Sequence, residues 1–170
     1  VPLMWGWLKD DRAQRQLDHM IGASMSTDWG ARILSSESQL YDPLAYHYGS
    51  VWPLFTGWLS LAGYRYGRPL VGWQALASNA SLTDFDTLGY VTELLSGDYC
   101  SAFGRSSHHQ IWSEAMVTLP LVRGLIGLEV LQEGKLVRFA PQPPAHWPGF
   151  AVRHIETALA PAFTLADSWD

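Results

Sequence analysis

Short turns and long loops alternate along this chain, and the alternation restricts how its helices can be arranged. A predicted helix at 50–66 is separated by only a short turn from a second helix, which runs from Pro69 to about 82 or 88. Helices joined so closely are antiparallel neighbours. In contrast, residues 23–49 and 89–107 form long polar, glycine-containing loops, and long ordered loops in compact domains are usually functional. The pattern predicts helical hairpins whose long loops build a site.

Two more helices are predicted at 10–22 and 108–127, from apolar spacing and from the residues that flank each segment. Pro120 lies inside the second of these and should kink it. Pro53 lies in the first turn of the 50–66 helix, where proline is tolerated. Polar residues that can cap these helices lie at their predicted starts, and glycines that can end them lie at their predicted ends. The expected N-caps are Asp10 or Asp11, Ser50 and Ser107, and the expected stops are Gly22 and Gly67.

The pattern changes from Leu128 onwards, where helical spacing gives way to alternation. Residues 134–140 alternate like a strand, and 150–155 and 162–166 are candidates for further strands. The predicted fold is therefore mainly α: about four helices in antiparallel hairpins, as in part of an (α/α)6 toroid, with a short β-rich tail. We expect the helical domain to span 1–130 and the tail 131–170. Since part of a ring cannot bury both faces of its helices, the chain should associate with a missing N-terminal part or with itself.

Composition excludes several classes of function. The net charge is −5 with only two lysines and no basic cluster, so we expect no binding to nucleic acid or anionic membranes. No apolar stretch approaches the roughly 20 residues of a membrane span. Nine tryptophans and seven tyrosines are unusual for 170 residues. Most should lie in the core, but aromatic faces also stack on the apolar faces of sugar rings.

Three segments, in order, resemble the last third of catalytic toroids in the glucoamylase and glycogen-debranching (amylo-α-1,6-glucosidase) group. They are DWGARILSSESQLYDPLAYHYGSVWP at 28–53, VTELLSGDY at 91–99 and SSHHQIWSEAM at 106–116. The tail segment FAPQPPAHWPGF is similar to the closing segment of that family, so the resemblance covers roughly 20–150. Thr92 departs from the family, which usually has proline before the glutamate. The resemblance implies an inverting glycoside hydrolase whose general acid comes from a loop upstream of this chain.

Inverting glycosidases need two carboxyl groups, about 6.5–9.5 Å apart, one as acid and one as base. Glu93 is the candidate base, because it lies in a long loop among the apolar residues Val91, Leu94 and Leu95, within the segment that resembles the family. The alternative interpretation is a loop glutamate that accepts a backbone N–H. Glu114, in the second turn of the 108–127 helix, is the rival carboxylate.

Candidate substrate-binding residues lie in the first resembling segment. A carboxylate in the DWG turn can bind paired hydroxyls, an arginine can hold that carboxylate or a sugar hydroxyl, and aromatic residues before the 50–66 helix can stack on a sugar. Trp112 is expected in the core instead. His108, His109 and Cys100 do not have metal-ligand spacing, so we expect no metal and no other cofactor. The candidate substrate contacts are Asp28, Trp29, Arg32, Tyr46, His47 and Trp52.

The sequence thus favours the C-terminal portion of an inverting glycoside hydrolase acting on α-glucosidic bonds in an oligosaccharide or polysaccharide. Alternatives remain open. One is a non-catalytic carbohydrate-binding or scaffold fragment, which the absence of the acid favours. Others are a toroid disaccharide phosphorylase, which would use phosphate in place of Glu93, and a sugar epimerase, which would use histidine.

Overall fold

A computed structural model describes residues 1–104, 106–134, 136–157 and 160–168, which are mainly helical with small antiparallel sheets. Within these ranges, no helix is long and apolar enough to cross a membrane. The α-helices are α1 (Pro2–Trp5), α2 (Asp10–Met20), α3 (Pro53–Arg65), α4 (Pro69–Ser81) and α5 (Ile111–Pro120). The strands are β1 (Ser26–Thr27), β2 (Gly30–Ala31), β3 (Leu128–Leu131), β4 (Leu136–Phe139), β5 (Gly149–Thr157) and β6 (Ala160–Ser168).

The helices α3 and α4 form the predicted antiparallel hairpin. Asn79, near the end of α4, donates its Nδ2 to the Pro53 carbonyl at the start of α3, at 2.8 Å. Further along, the Ser60 hydroxyl donates to the Gly72 carbonyl at 2.7 Å. Gly67 has φ of 67° just after α3 and ends it as predicted, because glycine adopts this left-handed conformation without a steric penalty.

The three predicted N-caps are wrong. The residues that precede α2, α3 and α5 are Lys9, Trp52 and Gln110, and no side chain caps these helices. The Ser50 hydroxyl donates to the Tyr46 carbonyl instead, and the Ser107 hydroxyl donates to the His109 carbonyl. These two hydroxyls shape the loops before α3 and α5, so both helices begin later than their polar residues suggest, whereas α2 begins at Asp10 itself.

The predicted 108–127 helix is shorter and less regular than expected. After Pro120, α-helical hydrogen bonding gives way to a π-helical turn over Leu121–Leu125, which accords with the disruption expected at a proline. The prediction that Trp112 packs in the core is wrong, because this side chain is 40% exposed. It lies beside Ile111, which is 76% exposed, so the first turn of α5 presents an apolar face to solvent.

The tail contains two hairpins. β3 pairs with β4 from Leu128 opposite Phe139 to Leu131 opposite Leu136, so β4, which lies within the strand predicted at 134–140, is the second arm of a hairpin. β5 pairs with β6, with Gly149 opposite Ser168. The strands predicted at 150–155 and 162–166 lie within β5 and β6. The division into domains at residue 130 stays a prediction, and β3 spans it.

Helix α3 is the centre of the fold. Leu17 of α2 and Val71 of α4 pack with Leu59 of α3 in one buried cluster. Gly57 of α3 abuts Met116 of α5, where an added Cβ would lie 2.3 Å from the Met116 Cβ. Further along, Tyr64 of α3 meets Gly124 in the π-helical turn that continues α5. α5 therefore runs parallel to α3, and the long loops before both helices lie at the same end of the fold.

Candidate functional site

At this loop end, the first two segments that resemble the glycosidase family are joined by backbone pairing. Val51 and Leu95 exchange two N–H···O bonds of 2.9 Å, and both are fully buried. Val51 also pairs with Arg32, and Leu95 with Ala102, in antiparallel bridges. The stretches around Arg32, Val51, Leu95 and Ala102 thus lie side by side. Val51 comes just before α3, and Leu95 comes two residues after Glu93.

Glu93 lies within a buried run from Val91 to Gly97 and is itself 7% exposed. Its Oε1 accepts a hydrogen bond from the hydroxyl of Tyr46, which lies 47 residues earlier. Its Oε2 accepts one from the backbone N–H of Ser107 at 3.3 Å. The Glu93 N–H in turn donates to the Ser107 carbonyl at 2.8 Å. The carboxylate is therefore held between the first and third resembling segments, and part of the alternative prediction, a backbone N–H partner, is present as well.

Aromatic rings surround the hydroxyl donor. The ring of Tyr46 meets the rings of His47 and Trp52 edge to face, with centroids 4.7 Å apart in both pairs. His47 is exposed, and its ring is nearly parallel to that of Trp52. Trp52 is only 5% exposed and donates its Nε1 to the Ser50 hydroxyl at 2.9 Å. In this arrangement Trp52 supports the other rings, and His47 offers the exposed face.

Two predicted substrate contacts, Trp29 and Arg32, hold loops together. Trp29 Nε1 donates to the Ser96 carbonyl at 2.9 Å. Arg32 Nε donates to the Gly97 carbonyl at 2.8 Å, and its Nη1 donates to the Ala23 carbonyl at 2.8 Å. Both side chains thus bind the backbone of the 91–97 segment that carries Glu93, and Arg32 also ties this segment to the loop after α2.

Asp28 is placed differently from the other candidates. Its side chain is exposed in the turn between β1 and β2, and its carbonyl accepts a bond of 2.9 Å from the hydroxyl of Ser78 on α4. The neighbouring Trp29 points to the other side of the hairpin, against Val91 and Leu95. The structure therefore brings Trp29, Arg32, Tyr46, His47 and Trp52 to the surroundings of Glu93, and places Asp28 along α4.

One positioning pair was missed by sequence reasoning. The Tyr41 hydroxyl donates to Asp98 Oδ1 at 2.6 Å, and partial burial together with this carboxylate raises the pKa of Tyr41. Next to it, an added Cβ on Gly97 would lie 2.2 Å from the Gly49 carbonyl oxygen. The signal for Tyr41 was present in the Tyr-Asp-Pro sequence of the first resembling segment, whereas nothing in the sequence marked Ser107 as a partner of Glu93, because Ser107 acts through its backbone N–H.

The rival carboxylate and the histidines form separate pairs. Glu114 Oε1 lies 3.2 Å from His109 Nε2, and Asp86 Oδ2 lies 2.6 Å from His108 Nδ1. Cys100 is exposed. No group of three or more metal-ligating side chains is found in the part of the chain that the structure describes.

Two comparisons with known proteins found no relative of this chain. No family model matches the chain, and no curated protein sequence matches it.

Proposed function

We propose that this chain carries the catalytic base of an inverting glycoside hydrolase that cleaves α-glucosidic bonds, with the general acid outside the chain. The observation that carries the proposal is the hydrogen bond from Tyr46 to Glu93, which joins two of the resembling segments at a buried carboxylate. A general base must be held in one orientation towards the water that it deprotonates. Donors on both oxygens of Glu93 provide this.

The hydrogen bonds also suit the role of base better than that of acid. Both oxygens of Glu93 accept a bond, and this is the pattern of an ionised carboxylate, which has only acceptors. An ionised Glu93 would take a proton from water as that water attacks the anomeric carbon, while an acid supplied by another segment protonates the leaving oxygen.

The toroid is part of the same proposal. α3 runs antiparallel to α4 and parallel to α5, with the long loops at one end and the short turn at the other. This repeats the helical order of an α/α ring over a few helices. We propose that the apolar face of α5, with Ile111 and Trp112 exposed, is covered by the upstream part of the ring or by a second copy. The mass of the purified chain in solution distinguishes a monomer from a self-associated form.

The test of function is hydrolysis of a maltooligosaccharide series by the protein that combines this chain with the acid-bearing segment. Glu93→Gln should lower kcat by about a hundredfold or more with little change in KM, because the base acts only in the transition state. The matched control is Glu114→Gln, which should stay close to the unmodified enzyme.

Other outcomes assign other functions. Full turnover by the Glu93→Gln variant would refute the assignment of Glu93 as the catalytic base. Cleavage that requires inorganic phosphate would indicate a phosphorylase. Sugar binding without cleavage, unchanged in both variants, would indicate a carbohydrate-binding fragment.

A further inference from the structure

Two hydroxyl side chains next to Glu93 have no part in the reaction proposed above. Thr92 directly precedes Glu93 and is only 3% exposed. Ser106 directly precedes Ser107, the residue whose N–H donates to Glu93 Oε2. The two hydroxyl oxygens lie 2.5 Å apart. They therefore connect the same two segments of chain that the Glu93 carboxylate connects.

The hydrogen bonds of these hydroxyls form a chain with a single direction. At one end the Leu94 N–H donates to the Ser106 hydroxyl oxygen at 3.1 Å, and at the other end the Thr92 hydroxyl donates to the Ser107 carbonyl at 3.0 Å. A backbone N–H only donates, a carbonyl only accepts, and each hydroxyl has one proton. Because Thr92 uses its proton on the carbonyl, the short contact between the hydroxyls is a bond from Ser106 to Thr92.

This chain of bonds holds the backbone of Ser107 in place. The Ser107 carbonyl accepts the Thr92 hydroxyl and also the Glu93 N–H, the latter at 2.8 Å. The Ser107 N–H reaches Glu93 Oε2 at 3.3 Å, which is longer than the usual N–H···O length of about 2.9–3.0 Å. Since a long hydrogen bond is lost after a small displacement, this bond depends on how firmly Ser107 is held.

The two oxygens of Glu93 have partners that are held in different ways. Oε1 is bound by Tyr46, whose ring packs edge to face on the buried ring of Trp52. Oε2 is bound by the backbone of Ser107, an exposed residue. The terminal torsion of a glutamate side chain has no sharp preference of its own. With Oε1 alone bound, the carboxylate could turn about that contact, so its orientation requires the bond to Oε2.

We propose that Thr92 and Ser106 are positioning residues for Glu93, and that their hydroxyls keep the Ser107 N–H on Oε2. Neither hydroxyl touches the reacting atoms, and both act through the backbone of Ser107. The inference rests on the proposed function of Glu93 as a general base, which must be held in a fixed orientation towards water. The hydrogen bonding is measurable without turnover, so failure of this inference is distinguishable from failure of the proposed function.

The first test measures hydrogen exchange of the Ser107 amide by NMR in the full chain, without substrate. Thr92→Val keeps the side-chain shape and removes the hydroxyl, so this amide should exchange about tenfold faster or more. Thr92→Ser keeps the hydroxyl and should recover most of the protection. Ser106→Ala breaks the same chain of bonds from the other segment, so the test does not depend on the folding of one variant. The matched control is Thr83→Val, which removes a hydroxyl bonded to the Ala80 carbonyl and should leave the Ser107 amide unchanged.

The second test measures kcat and KM in the protein that combines this chain with the acid-bearing segment, per folded molecule. Thr92→Val should lower kcat about tenfold with KM unchanged, a smaller loss than that of Glu93→Gln because Tyr46 still holds Oε1. The double variant Thr92→Val/Ser106→Ala should lose no more than either single variant, because the two hydroxyls act in one chain. Thr83→Val should keep kcat, which separates positioning from a general loss of structure.

Three results would overturn the positioning role. Unchanged kcat in Thr92→Val, where Glu93→Gln abolishes turnover, would remove the role and leave the base assignment intact. Unchanged exchange of the Ser107 amide in both Thr92→Val and Ser106→Ala would show that the hydroxyls do not hold it. Losses of kcat that multiply in the double variant would show that the two hydroxyls act independently.

Discussion

The same chemical change at two tyrosines should have opposite effects on stability. The Tyr46 hydroxyl donates to the carboxylate of Glu93, a group that is 7% exposed. The Tyr64 side chain is 3% exposed, and its hydroxyl has no hydrogen-bond partner among the described residues. Burial raises the pKa of Tyr64 well above its ordinary value of 10.0. Replacement by phenylalanine removes a used hydroxyl in the first case and an unused one in the second.

The magnitudes follow from what each hydroxyl does. A hydrogen bond to a charged group contributes about 1.5–3 kcal/mol, so Tyr46→Phe should lower the free energy of unfolding by about 2 kcal/mol. An unpaired buried hydroxyl costs about 1–3 kcal/mol, so Tyr64→Phe should raise the free energy of unfolding by about 1 kcal/mol. The expected gap between the two variants is about 3 kcal/mol.

Urea denaturation of both variants and the unmodified chain measures this gap directly. A double-mutant cycle of Tyr46→Phe with Glu93→Gln should show coupling of about 1 kcal/mol, since the two side chains are in contact. The reasoning is refuted if Tyr64→Phe destabilises the chain as much as Tyr46→Phe, or if the cycle shows no coupling.

The remaining predictions concern the loops around Glu93. Gly97→Ala would place a Cβ 2.2 Å from a backbone oxygen, so urea denaturation should show a free energy of unfolding lower by about 3 kcal/mol or more. Gly104→Ala is the control, because the space around Gly104 is open, and it should have little effect. Equal losses of stability in the two variants would contradict the close approach at Gly97. Arg32→Lys should lower the free energy of unfolding by about 1–2 kcal/mol, because lysine lacks the forked guanidinium group that reaches several carbonyls. Arg15 forms only an exposed ion pair, so Arg15→Lys should change the free energy of unfolding by less than about 0.5 kcal/mol. Because the pKa of Tyr41 is raised from 10.0, the folded state holds this proton more tightly than the unfolded state, and stability should fall as the pH rises above 10.0. Tyr41→Phe should make this decline less steep. An unchanged slope of stability against pH would contradict the prediction.

The sequence predicted the helical framework where local chemistry decides it. Pro53, Gly67 and Pro69 mark positions that only a helix start or stop accommodates readily, and the α3–α4 hairpin follows from them. The caps failed because Ser50 and Ser107 have backbone carbonyls within reach in their loops, and sequence spacing does not show which acceptor a hydroxyl will use.

The sequence indicated which residues form the site, but it did not indicate which atoms those residues contact. The apolar neighbours of Glu93 indicated burial, which the structure confirms. The partner of its carboxylate depends on loops that meet across 47 residues, and no local pattern encodes that meeting. Arg32 and Trp29 carry polar groups that suit a sugar, yet the same groups satisfy backbone carbonyls exposed by the loops. Trp112 was assigned to the core from its place in an apolar helix, but it lies in the first turn of α5, where it is 40% exposed.

The most direct test of the central claim is azide rescue of a Glu93→Ala variant, in the protein that combines this chain with the acid-bearing segment. If Glu93 is the base of an inverting hydrolase, the variant should lose turnover of an α-glucosyl substrate. Sodium azide should then restore turnover and yield the β-glucosyl azide, because the small anion takes the place of the activated water. Turnover that persists without azide, or an azide product with retained α configuration, would contradict the assignment of Glu93.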